Sequence, residues 1–80
     1  MSEERKYRLY LYDLGLLIKE NALKVKNKAK ASEGEDRSFH RGILFGYAEV
    51  ISLMQQEAEA FGIGLDEVRL DDIKPEGDLI

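Results

Sequence analysis

Between Tyr7 and Ala29 the apolar residues Tyr7, Leu11, Leu14, Ile18, Ala22, Val25 and Ala29 recur at steps of 4, 3, 4, 4, 3 and 4, with no proline and one glycine in the segment. That spacing marks one face of an α-helix. The second half of the segment, Lys19 to Ala31, is rich in good helix formers. Its start, Arg8-Leu9-Tyr10-Leu11-Tyr12, also carries β propensity through its aromatics, but the step pattern runs through it unbroken. The spacing predicts one helix over 6–31, about 38 Å long.

A second stripe, Phe39, Ile43, Tyr47, Val50, Met54, Ala58 and Phe61, is widened by Leu44, Ile51 and Leu53 and predicts a helix over 37–61. Ser32-Glu33-Gly34-Glu35-Asp36 is the turn between them, at 32–36. Gly34 is expected to take a positive φ and end the first helix, and Asp36 to cap the second. Gly62 followed by Ile63 is the Schellman pattern, with Ile63 folding back near Ala58. Two helices of equal length on a short turn make an antiparallel hairpin. The fold class is therefore all-α, a single domain over 1–80. Residues 63–80 form its irregular acidic C-terminal tail, in which Pro75 and Gly77 exclude a long helix. Asp66 is placed to cap a short turn. Leu65, Val68, Leu70, Ile73, Leu79 and Ile80 are expected to dock on the hairpin, and the last few residues to be disordered.

Composition limits how such a chain is held together. Eighty residues give a marginal core. With no Cys, neither a disulfide nor a Cys-based zinc site can reinforce it, which leaves packing or a partner chain. The lack of Cys suits a reducing compartment. The N-terminal MSEERKYR is too polar for a secretory signal. The longest apolar run, Leu14 to Ile18, falls far short of the roughly 20 residues of a membrane span. A soluble, cytoplasmic protein is expected, with no membrane association.

The apolar residues outnumber what a hairpin needs. The first helix carries a second set at Leu9, Tyr12, Leu16 and Leu23 and a third at Tyr10 and Leu17. A helix that is apolar all round is normally buried all round. A second hairpin would supply that cover, giving a homodimeric four-helix bundle with two-fold symmetry. The alternatives are that the tail covers the second face, or that another protein does. Gly42 and Gly46 each cost about 1 kcal/mol inside a helix and are expected to admit close packing by the first helix or a dimer mate. Glu49 lies among Phe45, Ala48, Val50 and Leu53. A carboxylate there needs a partner, and Lys19 or Asn21 across the hairpin would serve. The expected interface is Leu9, Tyr12, Leu16, Leu23, Gly42, Gly46, Tyr47 and Glu49.

No catalytic constellation is present. His40 is the only histidine and has no acid at helical spacing. Di-metal bundles need Glu-x-x-His, which is absent. No Gly-Lys-Ser/Thr follows the glycine pair. No cofactor and no metal are implied, and the chain reads as non-enzymatic. An enzyme would need Glu49, Tyr47 and His40 to converge on one pocket. Lys24, Lys26, Lys28 and Lys30 form a possible basic patch, but on a helix they split to either side of Ala22, Val25 and Ala29. Tyr7, Tyr10 and Tyr12 interleave with Arg5, Lys6 and Arg8, a mixture that can stack on single-stranded bases and that also suits a packing boundary. Charge is uneven, net +4 over 1–31 and net −4 over each of 32–62 and 63–80. The overall charge of −4 argues against nucleic acid as the partner.

Phe39-x-x-Gly42, Tyr47-x-Glu49-Val50-Ile51-Ser52-x-Met54-Gln55, Ala60-Phe61-Gly62-Ile63 and the closing Leu70-Asp71-Asp72-Ile73 resemble a group of short uncharacterised bacterial proteins. The resemblance spans about half the chain. It implies a bacterial cytosolic protein and brings no activity with it. The reading that follows is a protein–protein interaction module, a small adaptor or regulator acting as a helical homodimer. The alternative is a nucleic-acid-binding protein using the Lys24–Lys30 end of the dimer.

Overall fold

The computed structural model describes residues 2–80. Two long helices, α1 (Glu3–Ala31) and α2 (Gly34–Ala60), pack against each other as a hairpin. A 3-10 turn (Leu65–Val68) and a π-helical turn (Pro75–Leu79) lie in the tail, and no strand forms among the described residues. The Cα trace measures 49 × 24 × 16 Å. The long dimension is one helix length, and the short one leaves room for a single helix layer with the tail against it.

α1 begins three residues before the predicted 6–31. The Ser2 hydroxyl accepts the Arg5 N–H at 3.2 Å, and Glu3 and Glu4 fill the first turn. A serine cap followed by two acids is an N-terminus signal in its own right. At the other end Lys28 and Lys30 oppose the helix dipole, and the Ser32 hydroxyl donates to the Lys28 carbonyl.

The expected turn at 32–36 shrinks to Ser32 and Glu33. Gly34 does take a positive φ, +59°, yet it opens α2 instead of closing α1. Asp36 is therefore not the cap but part of the first turn, where its charge still favours the dipole. Arg37 Nε donates to the Ser32 carbonyl at 2.9 Å and ties the turn to α2. The far end of α2 closes as the sequence predicts. Gly62 sits at φ +70°, its N–H donates to Glu59, and the Ile63 N–H donates to Ala58 at 2.7 Å. Those two bonds define the Schellman motif.

The seam between the helices is made largely of small side chains. Ala22 and Ala29 from α1 meet Leu44, Ala48, Ile51 and Ala58 from α2, all buried. The predicted α2 stripe is therefore rotated. Phe39, Ile43, Val50 and Phe61 are exposed, Tyr47 and Met54 are half-buried, and only Ala58 lies fully in the core. On α1, Tyr7 and Leu11 are likewise exposed, whereas Ala22 and Ala29 are buried as expected.

The tail supplies the bulk that the alanines lack. Val68, Leu70, Ile73 and Leu79 join the buried cluster, and Leu70 and Ile51 are its two largest fully buried side chains. Docking extends to Leu79, so the expected disorder at the chain end stops short of that residue. The cap expected from Asp66 comes from Glu67 instead, whose carboxylate accepts the Gly64 N–H at 2.8 Å. Asp78 accepts the Lys74 N–H and closes the last turn. The tail has few backbone bonds of its own, and α2 provides others. Gln55 Nε2 donates to the carbonyls of Leu70 and Ile73 at 3.0 and 2.9 Å.

Gly15 is where the tail lies on α1. A Cβ at this position would stand 1.7 Å from the Val68 carbonyl oxygen, so no larger residue fits under the strand of tail that passes there. Gly42 and Gly46, expected to mediate close helix packing, meet no atom within 4 Å. Within the chain, close approach falls to Gly15 alone among these three.

Gly15→Ala is expected to lower the unfolding free energy by roughly 1–3 kcal/mol, the usual cost of overpacking. It should also speed tryptic cleavage after Arg69. Gly77→Ala, whose added methyl meets open space, is expected to stay within about 0.5 kcal/mol of the parent. Urea denaturation followed by circular dichroism measures both.

Candidate functional site

The side of the hairpin chosen by the tail determines what stays accessible. The tail touches α1 at Tyr12, Gly15 and Lys19 and α2 at Gln55. Two residues along a helix is a rotation of about 200°. Tyr10 and Leu17 on α1 therefore point away from the tail, and Leu53 on α2 stands at the edge of that side, where it also borders a groove with Pro75 and Glu76. All three are exposed, Tyr10 at 63%, Leu17 at 54% and Leu53 at 60%. Phe39, Ile43, Gly46, Val50 and Leu53 follow one another on this side at steps of 4, 3, 4 and 3, every one exposed. Leu14, Ile18, Val25, Tyr47 and Met54 are half-buried, and by the same phase they form the floor between the two helices. The result is an exposed apolar stripe on α2 with Tyr10 and Leu17 of α1 on the same side, the back face of the hairpin, where Asn21, Lys28 and Glu57 are also exposed.

Of the expected interface residues, Gly46 and Tyr47 belong to this back face. Leu9, Tyr12, Leu16 and Leu23 lie toward the tail side. Tyr12 there carries Arg69, whose guanidinium carbon sits 5.3 Å from the ring centre while Nη1 donates to the Tyr12 hydroxyl at 3.2 Å. Arg69 holds a left-handed φ of +59°, and this stacking secures it. Leu16 is half-buried; Leu9 and Leu23 remain exposed. Gly42 is exposed beside Gly46.

Glu49 does not face α1. It is exposed and lines a shallow groove with Phe45, Ser52, Gln56 and Glu76. Lys19, its expected partner, pairs with Asp72 of the tail instead, Nζ to Oδ1 2.8 Å. The Lys19 ammonium is the buried charge of the fold, 6% exposed, and sequence periodicity conceals it because the lysine stands one position after Ile18 on the buried side. His40 is half-buried near the turn. Its Nδ1 lies 2.8 Å from the Asp36 carbonyl, so the ring donates there, and Phe39 packs edge-on at 5.5 Å. Neither Tyr47 nor His40 lines the groove that holds Glu49.

The lysine run divides. Lys24 and Lys28 are exposed, whereas Lys26 and Lys30 line a cavity at the turn end together with Arg37 and Arg41. The two arginines stand seven and eleven residues beyond Lys30, on the other helix, which is why a scan for basic runs does not find them. No helix is long and apolar enough to cross a membrane among the described residues. Comparison with protein families, with curated proteins and with solved structures returns no match.

The hydrogen bond from Lys19 holds the Asp72 carboxyl below its ordinary value of 3.8. A lowered carboxylate contributes stability that is present above that value and is lost as pH falls through the lower folded one. Asp72 is largely solvated, which keeps this contribution small. Asp72→Ala strands the buried ammonium and is expected to cost roughly 1 kcal/mol or more. Lys19→Met fills the same slot with an apolar chain and is expected to cost less, with a shallower loss of stability below pH 3.8. Urea titrations at neutral and acid pH separate the two.

Proposed function

We propose that this chain is a non-enzymatic protein–protein interaction module, a small adaptor or regulator that works in the cytoplasm as a homodimer. Two hairpins pair through their back faces into a four-helix bundle. The observation that supports this reading is the open apolar face itself. A monomer seldom leaves more than about 300–600 Å² of contiguous apolar surface in water. Tyr7, Tyr10, Phe39 and Phe61 are between 62% and 76% exposed. At about 150–250 Å² for a whole aromatic side chain they present roughly 500 Å². Leu17, Ile43, Val50 and Leu53 bring the face to about 800 Å², one side of a standard interface.

The spacing of the face fits helices as its cover. Steps alternating between 4 and 3 are those of a heptad seam, in which side chains of one helix enter holes on another. Gly46 lies within the stripe with no atom near its Cα and offers such a hole. A self-complementary patch closes as a two-fold dimer and leaves no unpaired copy to propagate. The pairing also explains why an 80-residue chain without disulfides tolerates a seam of alanines.

Sedimentation equilibrium from nanomolar to millimolar chain is expected to give twice the chain mass over the upper part of that range. Val50→Glu and Leu53→Glu, both on exposed positions, are expected to shift the mass to the monomer with helical content unchanged. A parent chain that stays monomeric throughout rules out the bundle.

A further inference from the structure

On the tail side, away from the back face, a cavity of about 680 Å³ opens at the turn end between α1, α2 and the last turn. Its floor is the buried trio Ala29, Leu44 and Leu79, continuous with the core. Phe45 and Ile80 wall its mouth, 52% and 59% exposed. Its other lining residues are all cationic: Lys26, Lys30, Arg37 and Arg41. No acidic side chain lines it, although the chain carries 16 acids against 12 bases.

The described ion pairs are Lys6–Glu3 and Lys19–Asp72, so none of these four cations is neutralised among the described residues. Arg37 uses Nε on the Ser32 carbonyl, which fixes its guanidinium plane. Glu33, Glu35 and Asp36 stand in the adjacent turn but not on the cavity wall. Four like charges around one recess repel each other and oppose folding unless an anion relieves them. The apolar floor asks for a different complement, a chain that water would otherwise have to solvate. A recess of this size with an apolar base and a few convergent polar groups is the usual form of a small-ligand site.

We propose that this cavity binds a single-tailed anionic amphiphile, with Lys26, Lys30, Arg37 and Arg41 holding the head group and Leu44, Phe45 and Leu79 holding the chain. Phe45 and Ile80 are shared with a neighbouring groove of about 450 Å³ in which Ala48, Leu53 and Pro75 stand beside Glu49, Ser52, Gln56 and Glu76. A carboxylate and a phosphate monoester present the same chemistry to this rim, and guanidinium groups bind either one bidentately. The first recess lies on the tail side and shares no lining residue with the back-face stripe.

Calorimetric titration of the 80-residue chain with four probes, the two charged amphiphiles below their critical micelle concentrations and dodecanol below its solubility limit, tests the assignment. Dodecanoate and dodecyl phosphate are expected to bind once per chain, and the tighter of the two identifies the head group. Dodecanol, which lacks the charge, and inorganic phosphate, which lacks the tail, are each expected to bind at least about tenfold more weakly. Arg41→Glu and Lys30→Glu should each weaken the charged amphiphile about tenfold at low salt, and Phe45→Gln should weaken it while leaving its salt dependence unchanged. Lys24→Glu, on an exposed position outside the cavity, should have no effect, and circular dichroism checks that each variant folds. Failure of both charged probes to bind overturns the proposal. So does binding that dodecanol matches, or binding indifferent to Arg41→Glu and Lys30→Glu together.

Discussion

The contact of the Val68 carbonyl with the bare Cα of Gly15 is the constraint on which the rest of this molecule depends. Two helices meeting through Ala22, Ala29, Ala48 and Ala58 come close but bury little volume between them. The larger side chains of the core, apart from Leu44 and Ile51, arrive with the tail as Val68, Leu70, Ile73 and Leu79. They reach the core because the backbone that carries them can lie flush on α1, and it can do so only where α1 has no Cβ. Lys19, one turn further on, holds the next stretch of tail through Asp72, and Gln55 satisfies two carbonyls from the other helix. The three attachments use a missing side chain, a charge and an amide, so the tail is positioned by complementary chemistry and not by regular structure of its own.

Periodicity revealed the helices and left their rotation open. Both helices are apolar on two sides, and a count of steps cannot say which side meets the partner helix, which meets the tail and which meets nothing. The stripe Phe39, Ile43, Val50 and Phe61 has better spacing and larger side chains than Leu44, Ala48, Ile51 and Ala58, yet the second set forms the seam. Small residues allow the close approach that makes a seam, and a scale that rewards size passes over them. The glycines teach the same lesson. Gly42 and Gly46 look like a packing pair by their spacing, whereas Gly15 looks like an interruption. Its use is visible only once a segment more than fifty residues away is laid across it. Local signals fared better: the Schellman end at Gly62 and the positive φ at Gly34 follow from backbone sterics that need no tertiary information. The cationic cavity was half legible, since Lys26 and Lys30 belong to the conspicuous run, but their companions Arg37 and Arg41 join them only when the hairpin closes.

The charge distribution gains a structural meaning from this arrangement. The +4 first segment and the two −4 segments lie side by side in the hairpin and tail, yet the opposite charges are not matched pair by pair. Acids collect in the turn, on Glu49 and along the outer tail, while four bases surround an uncharged floor. Exposed charges of opposite sign gain little by touching. Collecting one sign around an apolar recess concentrates positive potential there.

The tail, and in the proposed dimer a second copy of the chain, would address one problem from opposite sides. Each helix has an apolar surface that its partner helix leaves uncovered, and the tail seals only the side that holds Gly15 and Gln55. Its length is spent there: from the Schellman turn at Gly62 to Leu79 it runs along one side of the hairpin and docks throughout. The back face is left uncovered by the tail. Because association stabilises whatever fold presents the interface, pairing through that face would strengthen the same helix seam on which tail docking depends. In the proposed dimer, folding and association would then be linked through the same seam of Ala22, Leu44, Ala48 and Ile51.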